Sequence, residues 1–332
     1  MNSRIKRLIA GAAAATTVAS SLVAFGATGA SIAGASTHYT IDYNVGAASD
    51  PFFLTMEAGA KAEAHKLGVT LNWNGNPTDY SPTTQLPILQ TQINQHPNAI
   101  VVAPTDTQAL ETTIASAVNS GIKVLNVDSG DANQSNITSW VTGNNVNGGT
   151  VAADALAKAM HYSTACGSGK CYVAIGVSSI STSTDAARLK GFKNEIKAKY
   201  PKIHVLNALV SNSQPSVAEQ NFTQAINSNN GHHLGIFAID GTDLQGALSA
   251  EGGKKLPVVG YDAYSTNVAQ MIAGKVAAIV SRQPYLEGQL AIKYAVAALQ
   301  GHKVPHLQTL ANEVLTPSSP FSTISKYQYL IG

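Results

Sequence analysis

Charge is what this sequence has least of. Only 12% of its 332 residues are Asp, Glu, Lys or Arg, against about 25% in an ordinary soluble domain. That scarcity excludes a coiled coil and a charged, disordered tail protein. The charges nearly cancel, 21 basic against 19 acidic, which leaves no electrostatic footprint for nucleic acid. Cysteine is limited to Cys166 and Cys171, too few for a four-cysteine zinc site or a dense disulfide framework. Ser, Thr, Asn, Gln, Ala and Gly fill the gap, and the apolar content is an ordinary 44%, unlike that of a polytopic membrane protein. The length is ample for one to three domains with a full core.

Acids are missing altogether before Asp42. Arg4, Lys6 and Arg7 precede an uncharged, Ala-rich stretch at 8–35 that ends in Ala33-Gly34-Ala35. This pattern reads as a secretory signal peptide over 1–35, which places the protein in a periplasm or outside the cell. The competing reading is a membrane anchor; the stretch is long enough for one but only weakly apolar. In an exported protein the two cysteines read as a local disulfide pinning a hairpin-like turn. Gly167-Ser168-Gly169-Lys170 matches a phosphate loop only in part: Thr164 stands where its first Gly belongs, and Cys171 replaces the Ser/Thr. His232-His233 adjoins the start of a strand rather than its end, a poor place for a metal site.

From residue 39 onward, short apolar runs alternate with stretches of helical period. Strands are predicted at 39–45, 69–73, 99–103 and 123–127, and helices over 51–67 and 81–95. A third helix carries Leu110, Ile114 and Val118, with Asp106 as its cap and Gly121 as its stop. Gly68 suits the left-handed position beyond a helix end. After a strand at 140–142 the rhythm restarts. Helices over 146–161, 184–199, 214–227, 243–250, 264–273 and 285–300 alternate with strands at 171–176, 204–209, 234–239, 258–261 and 277–281. Such alternation means parallel sheets with right-handed crossovers. Ten or so strands strain a single sheet, so two α/β halves parting near residue 143 are expected.

In open α/β sheets, ligands bind beyond the carboxyl ends of the strands. Asp50, Phe52 and Phe53 follow the first strand, Asp106 the third and Asp128 the fourth. In the second half Asp240, the pair Tyr261 and Asp262, and Arg282 hold the same kind of place. Carboxylates accept hydroxyl hydrogen bonds with charge-assisted strength, aromatic rings pack on the C–H face of a sugar ring, and Arg282 adds a planar donor fork. The set suits a polyhydroxyl ligand. Asp50 and Asp106 also read as helix caps, and Asp128, Asp240 and Asp262 as turn formers.

A series of short stretches then falls into a recognisable order. It comprises Asp50-Pro51-Phe52-Phe53, Gly59-Ala60, Ala64 with Leu67-Gly68, Ala103-Pro104-Thr105-Asp106 and Val127-Asp128. It continues with Asn144-Asn145-Val146-Asn147-Gly148-Gly149, Arg188-Leu189-Lys190-Gly191-Phe192, Val258-Val259-Gly260-Tyr261-Asp262 and Gly274-Lys275-Val276-Ala277-Ala278. Spread over about 39–316, the ordered set resembles the ribose-binding-protein family, the type I periplasmic sugar-binding proteins of ABC importers. The resemblance implies two Rossmann-like α/β lobes with parallel sheets and a three-strand hinge, crossing near 142–144, 282–284 and 310–314. The lobes are then 38–142 plus 284–311, and 144–282 plus 313–332. It further implies a sugar held between them by Asp50, Phe52, Phe53 and Asp128 on one side and Asp240, Tyr261 and Asp262 on the other. Arg282 then sits beside a hinge, and Arg188 belongs to an Arg-x-x-Gly-Phe element with either a ligand-contacting or a structural role.

Departures from the family pattern shift the expected ligand. The pattern has Asn at the places of Asp50, Ala103 and Asp240, Arg at that of Ser129 and Gln at that of Arg282. The cleft has lost an arginine beside Asp128 and gained acids, which points away from D-ribose to another sugar, a polyol or an amine-bearing ligand. The expected function is a secreted, monomeric solute-binding protein that delivers a sugar to an ABC-importer permease through closure of its lobes. No catalytic residue, metal, cofactor or nucleic acid is expected. The alternative keeps the fold and binds a cationic or signalling solute, such as one read by a chemoreceptor, with salt-sensitive affinity. A carboxylate-pair hydrolase is the remaining reading, and no Ser/His/Asp spacing or metal triad supports it.

Overall fold

The computed structural model describes residues 38–168 and 170–330, so the expected export signal over 1–35 lies outside the described residues. Strands and helices alternate from the start: β1 Thr40–Val45, α1 Pro51–Leu67, β2 Thr70–Gly75, α2 Pro82–Asn94, β3 Ala99–Val102, α3 Glu111–Asn119, β4 Lys123–Val127 and β5 Ser139–Gly143. The second series is α4 Asn145–Ala159, α5 Tyr162–Ala165, β6 Cys171–Val177, α6 Ser183–Lys199, β7 Ile203–Val210, α7 Pro215–Ser228, β8 His233–Ala238, α8 Gly241–Glu251, β9 Val258–Tyr261, α9 Ser265–Ile272 and β10 Ala278–Ser281. The chain ends with α10 Pro284–Leu299, β11 Leu307–Leu310, β12 Glu313–Leu315 and α11 Phe321–Tyr327.

The strands form two six-stranded sheets of matching order, β11-β5-β4-β3-β1-β2 and β12-β10-β9-β8-β6-β7. Every ladder is parallel except that of β12 with β10. Helix α4 packs on β8, β9 and β10, whereas α10 returns to β3, β4 and β5, so the chain passes between the two halves after β5, after β10 and between β11 and β12. The expected two-lobed α/β architecture is what forms.

Burial on both faces explains the unbroken apolar strands. In β3, Ile100 and Val102 face Leu89, Ile93 and Ile114 of α2 and α3, while Ala99 and Val101 join the cluster of Ile41, Met56 and Ile292 on the opposite face. Local chemistry sets the helix ends. Asp50 accepts a hydrogen bond from the Phe52 amide at 2.8 Å and Pro51 opens α1. Gly68, at φ +66°, ends that helix in the left-handed region. Two helix pairs, α1 with α10 and α4 with α6, approach at backbone distance. A Cβ on Gly59 would lie 2.0 Å from the Tyr285 carbonyl oxygen, and one on Gly191 2.0 Å from that of Val146.

Three local expectations change. Asp106 accepts from the amides of Gln108 and Ala109 and so caps a preceding turn, whereas α3 begins only at Glu111. The cysteines form the expected disulfide, but it ties the turn after α5 to the first residue of β6 instead of closing a hairpin. Helix α8 starts at Gly241, not 243, because Asp240 is already its cap, accepting from the Asp243 amide at 2.7 Å. Among the described residues no helix is long and apolar enough to cross a membrane.

Candidate functional site

Equivalent strands in the two sheets end in equivalent acids. Asp128 follows β4 and Asp262 follows β9, and both backbones turn through the left-handed region, at φ 57° and 63°. Each amide donates to the neighbouring strand, Asp128 to the Val141 oxygen at 2.8 Å and Asp262 to that of Val280 at 3.0 Å. Asp is one of the few side chains that tolerate this conformation, and the turn carries both carboxylates toward the space between the sheets.

Arg282, just past β10, meets both. Its Nε and Nη2 donate to the two oxygens of Asp262 at 3.0 and 3.2 Å, and its Nη1 pairs with Asp128 Oδ1. The guanidinium lies 3.6 Å above the Phe52 ring centre, a cation–π contact strengthened by burial. Burial pushes the Asp262 carboxyl up, but Arg282 and Arg188 outweigh it and hold the group below the usual carboxylate range. Tyr329 adds a hydrogen bond to Asp262 Oδ1 at 2.7 Å.

Asp50 and Asp240 enter from the N-termini of α1 and α8. Asp50 Oδ1 accepts from Tyr264 at 2.6 Å and its Oδ2 from Thr242 at 3.1 Å, so one acid joins the two lobes through neutral hydroxyls. Burial, with smaller pushes from Asp262 and Asp240, lifts it to about 6 against the pull of its hydrogen bonds. Asp240 accepts from Ser178 and from the Asp243 amide. Arg188 of α6 is clamped by Asn145 Oδ1 at 2.9 Å and the Ile239 carbonyl at 3.1 Å, and pairs with Asp185 at 3.5 Å. Burial raises Asp185 to about 7 despite Arg188.

These groups surround a small cavity of about 40 Å³, far below the roughly 300 Å³ or more of an open small-molecule site. It brings together Asp50, Phe52, Phe53, Asp128, Arg188, Asp240, Asp262 and Arg282. Tyr261 is not among the lining residues. It ends β9 pointing into the second lobe, tilted against Phe237, with Arg188 4.4 Å above its ring and its hydroxyl without a partner. The aromatic wall on that side is Tyr264, three residues on, because the chain reverses at Asp262. Phe53 stacks on Tyr80 at 6.4 Å.

Tyr80, Ser178, Thr184, Asp185, Ser213 and Tyr264 also line the cavity and were not singled out from sequence. Ser178 directly follows β6 and Ser213 lies just past β7, so the strand-end rule covers both; serine alone carries too little chemical signal to be noticed. No group of His, Cys, Asp and Glu among the described residues is arranged to hold a metal. The arrangement offers many acceptors, two planar donor forks and several aromatic rings, which suits hydrogen bonding to a small hydroxylated solute.

Comparison with known proteins agrees with this geometry. The family model described as periplasmic binding protein domain matches residues 41–303. The ribose import binding protein RbsB of Haemophilus influenzae is 30% identical over 276 residues, covering 81% of this chain and 89% of that protein. A solute-binding protein of an ABC transporter from Agrobacterium vitis, solved with α-D-tagatopyranose, superimposes with a TM-score of 0.80 at 27% identity, over 88% of this chain and 99% of that one. A carbohydrate-transporter solute-binding protein from Agrobacterium radiobacter, in complex with D-arabinose, gives 0.81 at 26% identity over the same shares. With strand order, cleft and relatives in agreement, the chain belongs to the periplasmic binding protein family.

Proposed function

We propose that this protein is an exported solute-binding protein that captures a small sugar or polyol between its lobes and delivers it to the permease of an ABC importer. The observation that carries the reading is the cavity built from both lobes, with Asp50 and Asp128 opposed to Asp240 and Asp262 and with aromatic rings on its walls. Relatives that are ribose import binding proteins, and structural neighbours holding tagatose and arabinose, support a sugar as cargo.

The moving bodies are 38–142 with 284–311, and 144–282 with 313–332, hinged where the chain crosses between sheets. Ligand contacts are assigned to Asp50, Phe52, Phe53, Asp128, Arg188, Asp240, Asp262 and Arg282, with Tyr264 in place of Tyr261. The protein acts without turnover, as a monomer, in a periplasm or outside the cell, and the loaded form is what a permease or a chemoreceptor reads.

Thermal unfolding against pentoses, hexoses, deoxy sugars, polyols and amino sugars tests this. A ligand at about 100 times its Kd stabilises by about 2.7 kcal/mol, a rise of roughly 5–10 °C at this size. A flat panel on protein that native mass spectrometry finds free of bound solute would overturn the proposal.

A further inference from the structure

The cavity's charges do not balance. Five carboxylates, those of Asp50, Asp128, Asp185, Asp240 and Asp262, face only two guanidiniums, those of Arg188 and Arg282. The cations are already committed: Arg282 to Asp128 and Asp262, and Arg188 to Asp185. Asp50 and Asp240 are left with neutral donors alone, namely hydroxyls and backbone amides. Both line the same cavity, and Thr242, two residues beyond Asp240, donates to Asp50.

Helix geometry offsets part of this charge. Each acid caps a helix, and each N-terminus supplies roughly half a positive charge. Even with that, and with burial raising Asp185 to about 7, carboxylates outnumber guanidiniums in the cavity. Asp243, fully buried behind Asp240, brings no cation either; burial first and Asp240 second hold its carboxyl well above the usual range. A neutral sugar offers this corner hydroxyl donors only, whereas burying unpaired carboxylates is costly. An ammonium group supplies three donors and the missing charge together.

Building on the solute-binding reading, we infer that the ligand is a cationic, hydroxylated solute, an amino sugar or aminopolyol, whose ammonium group lodges between Asp50 and Asp240. The ion-paired Arg282 and Asp128 side of the cavity then receives the hydroxyls. Asn at both places would keep the caps and the shape of this corner and remove its charge, which makes charge, not shape, the discriminating property.

Calorimetric titration of the purified protein at about pH 6.5 tests the inference with matched pairs: D-glucosamine against D-glucose, D-galactosamine against D-galactose, and 1-amino-1-deoxy-D-ribitol against ribitol. At least one amine is expected to bind tenfold or more tighter than its neutral parent, and to lose most of that advantage between about 20 and 500 mM NaCl. Asp240→Asn and, independently, Asp50→Asn retain a capping side chain and are each expected to lower the amine-to-parent ratio at least tenfold. Circular dichroism checks that each variant is folded. Neutral parents binding as tightly as their amines would overturn the inference and leave the sugar-binding reading standing. An unaltered ratio in both folded variants would also overturn it. Binding by neither series would count against the solute-binding reading itself, and the inference would fall with it.

Discussion

Asp128 and Asp262 are mirror positions across the cleft, each one residue past an equivalent strand and each in the left-handed region, and a single guanidinium, that of Arg282, joins them. One lobe contributes Asp128 and the other contributes Asp262 with Arg282. The ion pair therefore ties the lobes together at the base of the cavity.

Replacing that guanidinium tests the tie. Arg282→Gln leaves two buried carboxylates without their cation, and breaking one side of a buried pair costs about 3–5 kcal/mol. The unfolding midpoint is expected to fall by roughly 6 °C or more, and small-angle scattering to give a larger radius of gyration. An unchanged midpoint would mean that the pair does not hold the lobes.

Acidity should stabilise the fold. Burial lifts Asp50 to about 6, Asp185 to about 7 and Glu287 to about 8, whereas such carboxyls titrate near about 4 when unfolded. Between those values the native state binds more protons than the unfolded chain, so stability falls as pH rises through the window. Asp262, held low by Arg282 and Arg188 against burial, opposes this only at more acid pH. Urea unfolding is expected to give higher stability at about pH 5 than at about pH 8, with Glu287→Gln flattening the slope. Stability rising toward pH 8 would contradict the assignment.

Close helix contact makes glycine obligatory at two points. Gly59→Ala places a methyl carbon about 2 Å from the Tyr285 carbonyl oxygen, and Gly191→Ala does the same against Val146. Neither backbone can yield without moving a helix, so a loss of about 1–3 kcal/mol is expected for each by chemical denaturation. Because α1 carries Phe52 and Phe53 and is capped by Asp50, and α6 carries Arg188, ligand affinity should fall as well. Wild-type stability in either variant would mean that the helices are not packed at backbone distance.

The disulfide should matter to stability and not to binding. It closes a short loop, five residues apart in sequence, for which chain entropy gives about 2 kcal/mol. Cys171 begins β6 and Ser178, at the cavity, follows its other end, roughly 20 Å away at strand rise. Cys166→Ser with Cys171→Ser is expected to lower the midpoint by a few degrees and leave titration curves unaltered. A changed affinity would show that strain at this turn reaches the cleft.

Much of the fold was legible because period and end signals agreed. Helix α1 runs over the predicted 51–67, since Asp50, Pro51 and Gly68 mark its ends in chemistry as well as pattern. The strand-end rule also selects Asp128, Asp240 and Asp262, which the structure brings to one cavity. It does not say which of two neighbours turns inward. Tyr261 and Tyr264 are indistinguishable by type, and only the positive φ of Asp262 sends one ring into the core and the other to the cleft. Tyr80 lies in the loop after β2, beyond any period, and is placed by its stacking on Phe53. Asp106 shows the converse: its capping chemistry is real, but four further residues of turn separate it from α3.

The crossovers between the sheets have a consequence for synthesis. The first sheet is bordered by β11 and its α1 leans on α10, both of which follow strands β6 to β10 of the second lobe in the chain. At 5–20 residues per second, the roughly 165 residues between β5 and β11 take on the order of 10 s to emerge. The half of the molecule that is made first is therefore completed only after five strands of the other have emerged, and during that interval the growing chain exposes the surfaces of β5 and α1 that β11 and α10 will cover.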